Sequence, residues 1–555
     1  MRCSGNLECP ASIGDSGDSA RHRSGAGSLC SPPRSPASFP ASAIRLVRPW
    51  VVLGVLAFWM FPARSHPQAS FTSGPYLQNL TETSIVICWE SEPATDAIVE
   101  WWPEGSPTSS LLADEESGRH EVVLTDLQAG TAYQYRVRIP SQGEGTFFNG
   151  SFRTAPVGDV PFSFVVYGDS RTNHANHRAI ADAVRGDDPA FVIHTGDLVT
   201  RGDSPEDWEA FWGVIAPPNG EESLAGNAPI FPVAGNHEYR TTLSGFADEA
   251  IVHFQSHFVL PPNGLESQFP QWSERFYSFA YGPALFIVLD LNYDSDPDYD
   301  ATGLITESGP PEIHPGSPQY EWLVSQLKAA RDHYLFTFVC FHPSPYSSGP
   351  WGKSDSYRAR FLDPIFREWG VDAVFTSHDH FYERSETYAD GYRIVYFVEG
   401  AGGASLYPRV NGWDEPESWM WDESNQTFYA KAFDNSTYSF LRVDIAPAGG
   451  GIWQASFSAV RPSGDVFDVA AIRRPWRDIR LDEKCVFSFE AIRGQTYRVE
   501  YSDDIPAPEM NWRVLEESVF ANTPFLYITD DGTKSGSSPA DSSVRHRLYR
   551  VAEVQ

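Results

Sequence analysis

The chain has 555 residues, too many for one ordinary core, so two or three domains are expected. A net charge of −32 excludes a nucleic-acid scaffold as partner, because a phosphate backbone would be repelled rather than neutralised. Forty-three glycines and 43 prolines imply many turns and favour β-rich modules over a helical protein.

Residues 1–44 are rich in Ser, Pro, Gly and Arg and are not expected to fold. Residues 50–61 form an uncharged apolar run, too short to span a bilayer, after Arg45 and Arg48 and before Ala63-Arg64-Ser65. That order of charged, apolar and small residues is the pattern of a signal peptide. Residues 1–65 are thus expected to be a leader, and the mature chain to be secreted, periplasmic or at the cell surface without a stable membrane span. A signal anchor is the alternative. Cys88, Cys340 and Cys485 remain, one in each expected domain and each in an apolar run, which suits buried thiols rather than a disulfide framework.

Residues 70–155 are expected to form a small β-sandwich, with strands over 84–90, 97–101 and 133–137. The segment from Leu127 to Val137 resembles the tyrosine-corner region of a fibronectin type III domain, with Tyr133 as the corner and Trp89 as the core tryptophan. Between 160 and 460 the pattern changes. Continuous apolar runs at 162–167, 191–193, 230–233, 285–291, 336–341, 371–375 and 394–398 alternate with helical patterns at 174–185, 205–214, 319–331 and 358–369. This predicts an α/β layer built on βαβ units. From 475 to 555 the pattern is all-β, with strands over 485–491, 496–501 and 548–551, as in an accessory β-sandwich. The expected fold class is therefore multidomain α/β plus β, a central α/β sandwich flanked by two β-sandwiches whose surfaces are available for cell-surface contacts.

Several apolar runs end in residues able to bind metal: Gly168-Asp169, Gly196-Asp197, Gly235-Asn236-His237-Glu238, His342, and Ser377-His378-Asp379-His380. In an open α/β sheet, the loops after the carboxyl ends of strands gather into one crevice. Carboxylate and amide oxygens mixed with imidazole nitrogens suit Mn, Fe or Zn. Any one of these elements alone reads as an ordinary turn or strand end. Five in order, each after a strand-like run, are a poor fit to chance.

This ordered set resembles the calcineurin-like metallophosphoesterase motifs, and within them the purple acid phosphatases. Those enzymes also place a fibronectin-like domain first and follow the last histidine pair with a Tyr-Glu-Arg such as Tyr382-Glu383-Arg384. The resemblance, over residues 70–460, implies two transition-metal ions bridged by Asp197. Asp169 and His380 would complete the first site, and Asn236, His342 and His378 the second. It implies a phosphorylated small-molecule substrate, attacked in line by a metal-bound water that ionises near neutral pH. His237 would face the substrate, stabilising the transition state or protonating the leaving oxygen.

The sequence departs from the branch at three places. Thr200 stands where purple acid phosphatases have the tyrosine that gives colour, so no purple chromophore is expected. Arg171 stands where other branches have a histidine, which leaves the first site with three assigned ligands unless His174, His177 or water completes it. The stretch after His342, Ser344 to Lys353, lacks further histidines, so Arg171 and Lys353 are the candidate phosphate contacts. Acid phosphatase and phosphodiesterase activities therefore both stay open, as does hydrolysis of a nucleotide or lipid head group. The opposing reading is a surface binding protein with an inactive catalytic fold.

Overall fold

The computed structural model describes residues 69–554, apart from 114–117, 141–145, 219–222, 243–244, 247, 293–310, 332, 351–356, 390–391, 410–421, 424–425, 450, 476–484, 491–495, 503–512, 521–524 and 531–547. The leader, Lys353 and its neighbours, and Cys3, Cys9 and Cys30 lie outside the described residues. No helix among the described residues is long and apolar enough to cross a membrane.

Two antiparallel sheets form the N-terminal region. One orders Ser70–Gln78, Ile85–Glu92 and Arg119–Leu124, and the other orders Ser109–Ala113, Ala97–Pro103, Ala132–Ile139 and Thr146–Arg153. In Ala132–Ile139, Tyr133, Tyr135, Val137 and Ile139 are buried while their alternate neighbours are not. This period of two puts one strand face in the core. Trp89 is fully buried and stacks on His120 at 4.7 Å between ring centroids. The Tyr133 hydroxyl accepts a hydrogen bond from Gln128 N at 2.9 Å, tying the strand start to the preceding turn.

The central region is two stacked sheets. The first orders Ile230–Pro232, Val192–His194, Phe162–Tyr167, Phe440–Gly449, Ile452–Val460 and Val466–Pro475. Its first three strands are parallel and the rest antiparallel. In the second, Ala284–Val288, Phe336–Pro343, Ala373–Ser377 and Tyr392–Glu399 run parallel in that order, with antiparallel strands outside them. The sheets meet through aromatic rings. Phe164 lies 5.0 Å from Phe286 edge-on and 5.9 Å from both Phe338 and Phe375. Such contacts add about 0.5–1.5 kcal/mol per pair to the area each ring buries.

Helices cover the outer faces. His174–Gly186 is capped by the Asn173 side chain and buries Ile180, Ala181 and Val184. Pro205–Ile215 begins with the Ser204 side chain accepting from Asp207 N and a proline in its first turn, both favoured at a helix start. On the second sheet, Leu323 and Leu327 of Pro318–Ala330 join Leu362 and Phe366 of Tyr357–Trp369 in a core with Ile287, Val339 and Val374.

The N-terminal sheets are fastened to the central region rather than tethered by a linker. Tyr76 stacks on Trp212 at 4.1 Å, the Tyr135 hydroxyl donates to Gly226 O at 2.8 Å, and Leu77 N donates to Ala225 O at 2.8 Å. The Gln78 side chain bridges His257 O and Val259 N. At the C-terminus, Thr496–Ser502 pairs with Arg513–Phe520 and Leu548–Val554, and Cys485–Glu490 pairs with Phe525–Asp530.

Candidate metal centre

Five parallel strands from the two sheets end at one edge, and the candidate ligands sit there. Asp169 follows Phe162–Tyr167, Asp197 follows Val192–His194, and Asn236 follows Ile230–Pro232. His342 lies near the end of Phe336–Pro343, and His378 and His380 follow Ala373–Ser377. The glycines let these loops approach. A Cβ on Gly168 would collide with the Thr195 side chain, and one on Gly196, at φ +102°, would lie 2.7 Å from His342 Nδ1.

Two groups of potential ligand atoms result, sharing Asp197: Asp197, His342 and His378, and Asp169, Asp197 and His380. Around the first, His342 Nε2 lies 3.1 Å from Asn236 Oδ1, 3.1 Å from His378 Nδ1 and 3.3 Å from Asp197 Oδ1. Because His342 Nδ1 lies 2.9 Å from Thr195 O, which can only accept, Nδ1 carries the proton and Nε2 presents its lone pair. Around the second, His380 Nδ1 lies 2.8 Å from Ser405 O, so its Nε2 is likewise bare, 3.3 Å from Asp169 Oδ1. That Asp169 oxygen is buried without a hydrogen-bond partner. Lone pairs converging at both places, one of them an orphaned buried carboxylate oxygen, fit divalent or trivalent cations. All six residues expected as ligands are thus brought together.

The surroundings fix these groups in place. Glu238 is fully buried and accepts from the backbone N–H groups of Gly235, Asp197, Leu198 and Val199. Burial and the neighbouring Asp197 push its carboxyl up to about 8, against the pull of those donated bonds. Burial also disfavours the charge of Asp197. The groups around it, His342 first, then His237, Arg171 and His378, outweigh burial and hold its carboxyl well below the usual range.

His237 points inward, with Nε2 3.8 Å from Asp197 Oδ2 and Nδ1 2.7 Å from Thr200 O, which makes Nδ1 the protonated nitrogen. Burial lowers its pKa more than Asp197 raises it. Arg171 lies across the second group, its Nε 3.0 Å from Asp197 Oδ2 and its Nη2 3.1 Å from His380 Nε2. His174 and His177 do not complete that group. His177 is buried under the site, 3.2 Å from the Tyr167 hydroxyl and stacked on Phe211, and His174 is exposed at its helix start.

Some contributors carry no motif. Tyr407 stacks on the His380 ring at 3.9 Å, and Ser405 orients that ring through its carbonyl. Both lie in a loop without periodicity or recognisable spacing. The stretch after His342 is tied down beside the site, with the Ser347 hydroxyl donating to Asp379 Oδ2 at 2.6 Å and Ser348 N donating to Glu383 Oε2 at 3.0 Å.

Residues 162–382 match the family model described as calcineurin-like phosphoesterase. Purple acid phosphatase 18 of Arabidopsis thaliana is 29% identical over 295 residues, covering 52% of this chain and 58% of the relative. Purple acid phosphatase 1 of Ipomoea batatas is 28% identical over 290 residues, covering 50% and 54%. The chain thus spans just over half the length of these curated relatives. Among solved structures, purple acid phosphatase PPD1 from yellow lupin seeds matches with a TM-score of 0.55 and 18% identity, over 73% of this chain and 76% of that one. PhoD matches with a TM-score of 0.50 and 15% identity, over 74% and 92%. At these identities the structural likenesses establish the fold. Taken with the sequence matches and the Asp/His groups at the strand ends, they support a calcineurin-like phosphoesterase domain over residues 162–382 that is similar to purple acid phosphatases.

Proposed function

We propose that this protein hydrolyses phosphate esters with two metal ions. One would be held by Asp197, Asn236, His342 and His378, and the other by Asp169, Asp197 and His380. The observation that carries this reading is the convergence of lone pairs, with Asp169 Oδ1 buried at its edge, without a hydrogen-bond partner and 3.3 Å from His380 Nε2. Bound cations would supply an activated water and neutralise phosphoryl charge. They would also invert the local potential in a chain whose net charge of −32 would otherwise repel an anionic substrate.

The protein's own side chains have separate tasks. His342 and His380 keep their bare nitrogens inward because backbone carbonyls hold their Nδ1 protons. His237 presents Nε2 beside Asp197; with the ring proton on Nδ1 this nitrogen accepts, and only after taking up a second proton would it donate to a phosphoryl or leaving oxygen. Arg171 uses Nε and Nη2 in its contacts, which leaves Nη1 for a substrate oxygen. Export, supported by the leader-like residues 1–65, would place this chemistry outside the cytoplasm, and the N-terminal sheets would serve as a fibronectin-like platform.

The test is metal analysis of the purified full chain together with hydrolysis of an aryl phosphate and a bis-aryl phosphate in the presence of Mn or Zn. Bound metal and turnover of either substrate are expected, and the preferred one separates monoesterase from diesterase. Asp197→Ala should lose both metals, whereas His237→Ala should retain them and turn over more slowly. Less than one metal per chain with neither substrate cleaved would refute the proposal and leave the binding-protein reading.

A further inference from the structure

Arg171 stands two residues beyond Asp169, and its N–H donates to Asp197 O at 3.3 Å, which fixes the turn that carries it. From there its guanidinium reaches the lone pairs that a cation between Asp169, Asp197 and His380 would use. Nε donates to Asp197 Oδ2 at 3.0 Å and Nη2 to His380 Nε2 at 3.1 Å. The second contact has one polarity only. His380 Nδ1 carries the ring proton to Ser405 O, so Nε2 accepts, and a guanidinium has no acceptor to offer. Tyr407, stacked on the ring, helps hold His380 in that orientation.

The other ligand group differs. His342, His378, Asn236 and Asp197 Oδ1 meet one another directly, and the His237 backbone N–H reaches Asp197 Oδ1 at 2.9 Å. Arg171 engages the opposite oxygen of Asp197 and touches none of the other three in a described hydrogen bond.

Resting on the two-metal reading above, we propose that Arg171 is a built-in cation at the Asp169–Asp197–His380 pocket and competes with metal there. The two pockets then fill at well-separated metal concentrations. The Asn236–His342–His378 pocket binds first. The second ion binds only when the guanidinium leaves Asp197 Oδ2 and His380 Nε2, and the side chain released by that exchange is free to turn toward the substrate. An arginine is suited to this because it stays protonated at any working pH, so the competition cannot be relieved by losing a proton.

The test is calorimetric titration of the metal-stripped full chain with Mn²⁺ alone, for wild type, Arg171→Ala and Arg171→Lys, with circular dichroism to confirm folding. Wild type should bind one equivalent tightly and a second at least about tenfold more weakly, in keeping with the strength of a charge-assisted hydrogen bond. Arg171→Ala should tighten the second equivalent by about tenfold or more and leave the first little changed, and Arg171→Lys should keep most of the separation. Two equal tight sites in wild type would overturn the inference, as would a second equivalent in Arg171→Ala that is unchanged, weaker or missing. Should Arg171→Ala not fold, the lysine variant and wild type decide, since a lysine variant with two equal sites that match its first is also incompatible with a competing cation. Asn236→Ala separates the two claims: if wild type binds no Mn²⁺, or if Asn236→Ala leaves the tight equivalent intact, the two-metal assignment itself fails. If only the arginine variants disagree, that assignment stands and the competition does not.

Discussion

Gly235→Ala is the sharpest probe of how the ligand loops are packed. A methyl group there would meet both the backbone nitrogen and Oδ1 of Asp197 closer than real Cβ atoms approach, and would lie 2.8 Å from Glu238 Oε2. None of these is the loose end of a flexible side chain. Asp197 N and Gly235 N are both hydrogen-bonded to Glu238 Oε2, at 3.0 and 2.6 Å, so neither strand end can retreat without breaking that clamp. Gly235 does not have a positive φ, so the penalty comes from contact rather than backbone strain. Overpacking of this kind costs about 1–3 kcal/mol. Relieving it would shift the shared carboxylate by a distance on the order of 1 Å, enough to lower turnover about a hundredfold. Metal content after dialysis against a chelator and thermal unfolding of the stripped protein are the assays. The variant should melt below wild type when stripped and lose metal more readily. If it kept metal at the wild-type ratio and melted with wild type, the Gly235–Asp197 approach would not be what positions the carboxylate.

Gly213→Ala is the matching case in the opposite direction. Gly213 lies inside the helix Pro205–Ile215, without a positive φ, and an added Cβ meets nothing within 4 Å. The substitution should stabilise by about 0.5–1 kcal/mol, read as a higher melting temperature, with metal content unchanged. Glu383→Gln tests a buried carboxyl beside the site. Burial, aided by Asp379 and opposed by Ser348 and Arg409, pushes Glu383 up from an ordinary 4.5 to about 7. The folded state therefore binds its proton more tightly than the unfolded chain. Its stability contribution is fully present below pH 4.5 and is lost as pH rises through about 7, by at most about 3 kcal/mol. A glutamine cannot ionise, so the melting-temperature difference between Gln variant and wild type should move in the variant's favour from pH 5 to pH 8. A difference independent of pH would show that Glu383 does not titrate in that window.

The parallel strands of the central region were legible because burial on both faces leaves continuous apolar runs. The strand predicted at 162–167 is observed as Phe162–Tyr167, and the helices predicted from 174 and 205 begin there. The antiparallel extension was harder to see. In Ile452–Val460 buried and half-buried residues alternate along most of the strand, so no unbroken apolar run marks it. The six ligand candidates were legible because each is held by backbone position at a strand end, which sequence order dictates. Arg171 was visible as a departure, but its target was not. A long side chain chooses among partners by geometry, and nothing in the spacing of residues 169–171 says that its guanidinium reaches His380. His177 shows the converse: the helix that starts at His174 turns it under the sheet toward Tyr167, where burial holds its pKa well below the ordinary value.

The two ligand groups are coupled through the main chain as well as through Asp197. Asp169, Asp197 and His378 all have positive φ, at +53°, +57° and +75°, which costs a non-glycine residue on the order of 1 kcal/mol or more. Each is held by a hydrogen bond from its own N–H: Asp169 to Gly196 O at 2.9 Å, Asp197 to Glu238 Oε2 at 3.0 Å, and His378 to Asp169 Oδ2 at 2.7 Å. The last bond joins the pockets. Asp169 uses Oδ2 to hold the strained backbone of His378, whose ring serves one group, while its Oδ1 faces His380 in the other. Removing the Asp169 carboxylate would thus take a ligand from the Asp197–His380 group and at the same time release the backbone that aims His378 at His342. The strained backbone of His378 is held by a carboxylate from the other sheet, so each pocket depends on the stacking of both sheets to keep its shape.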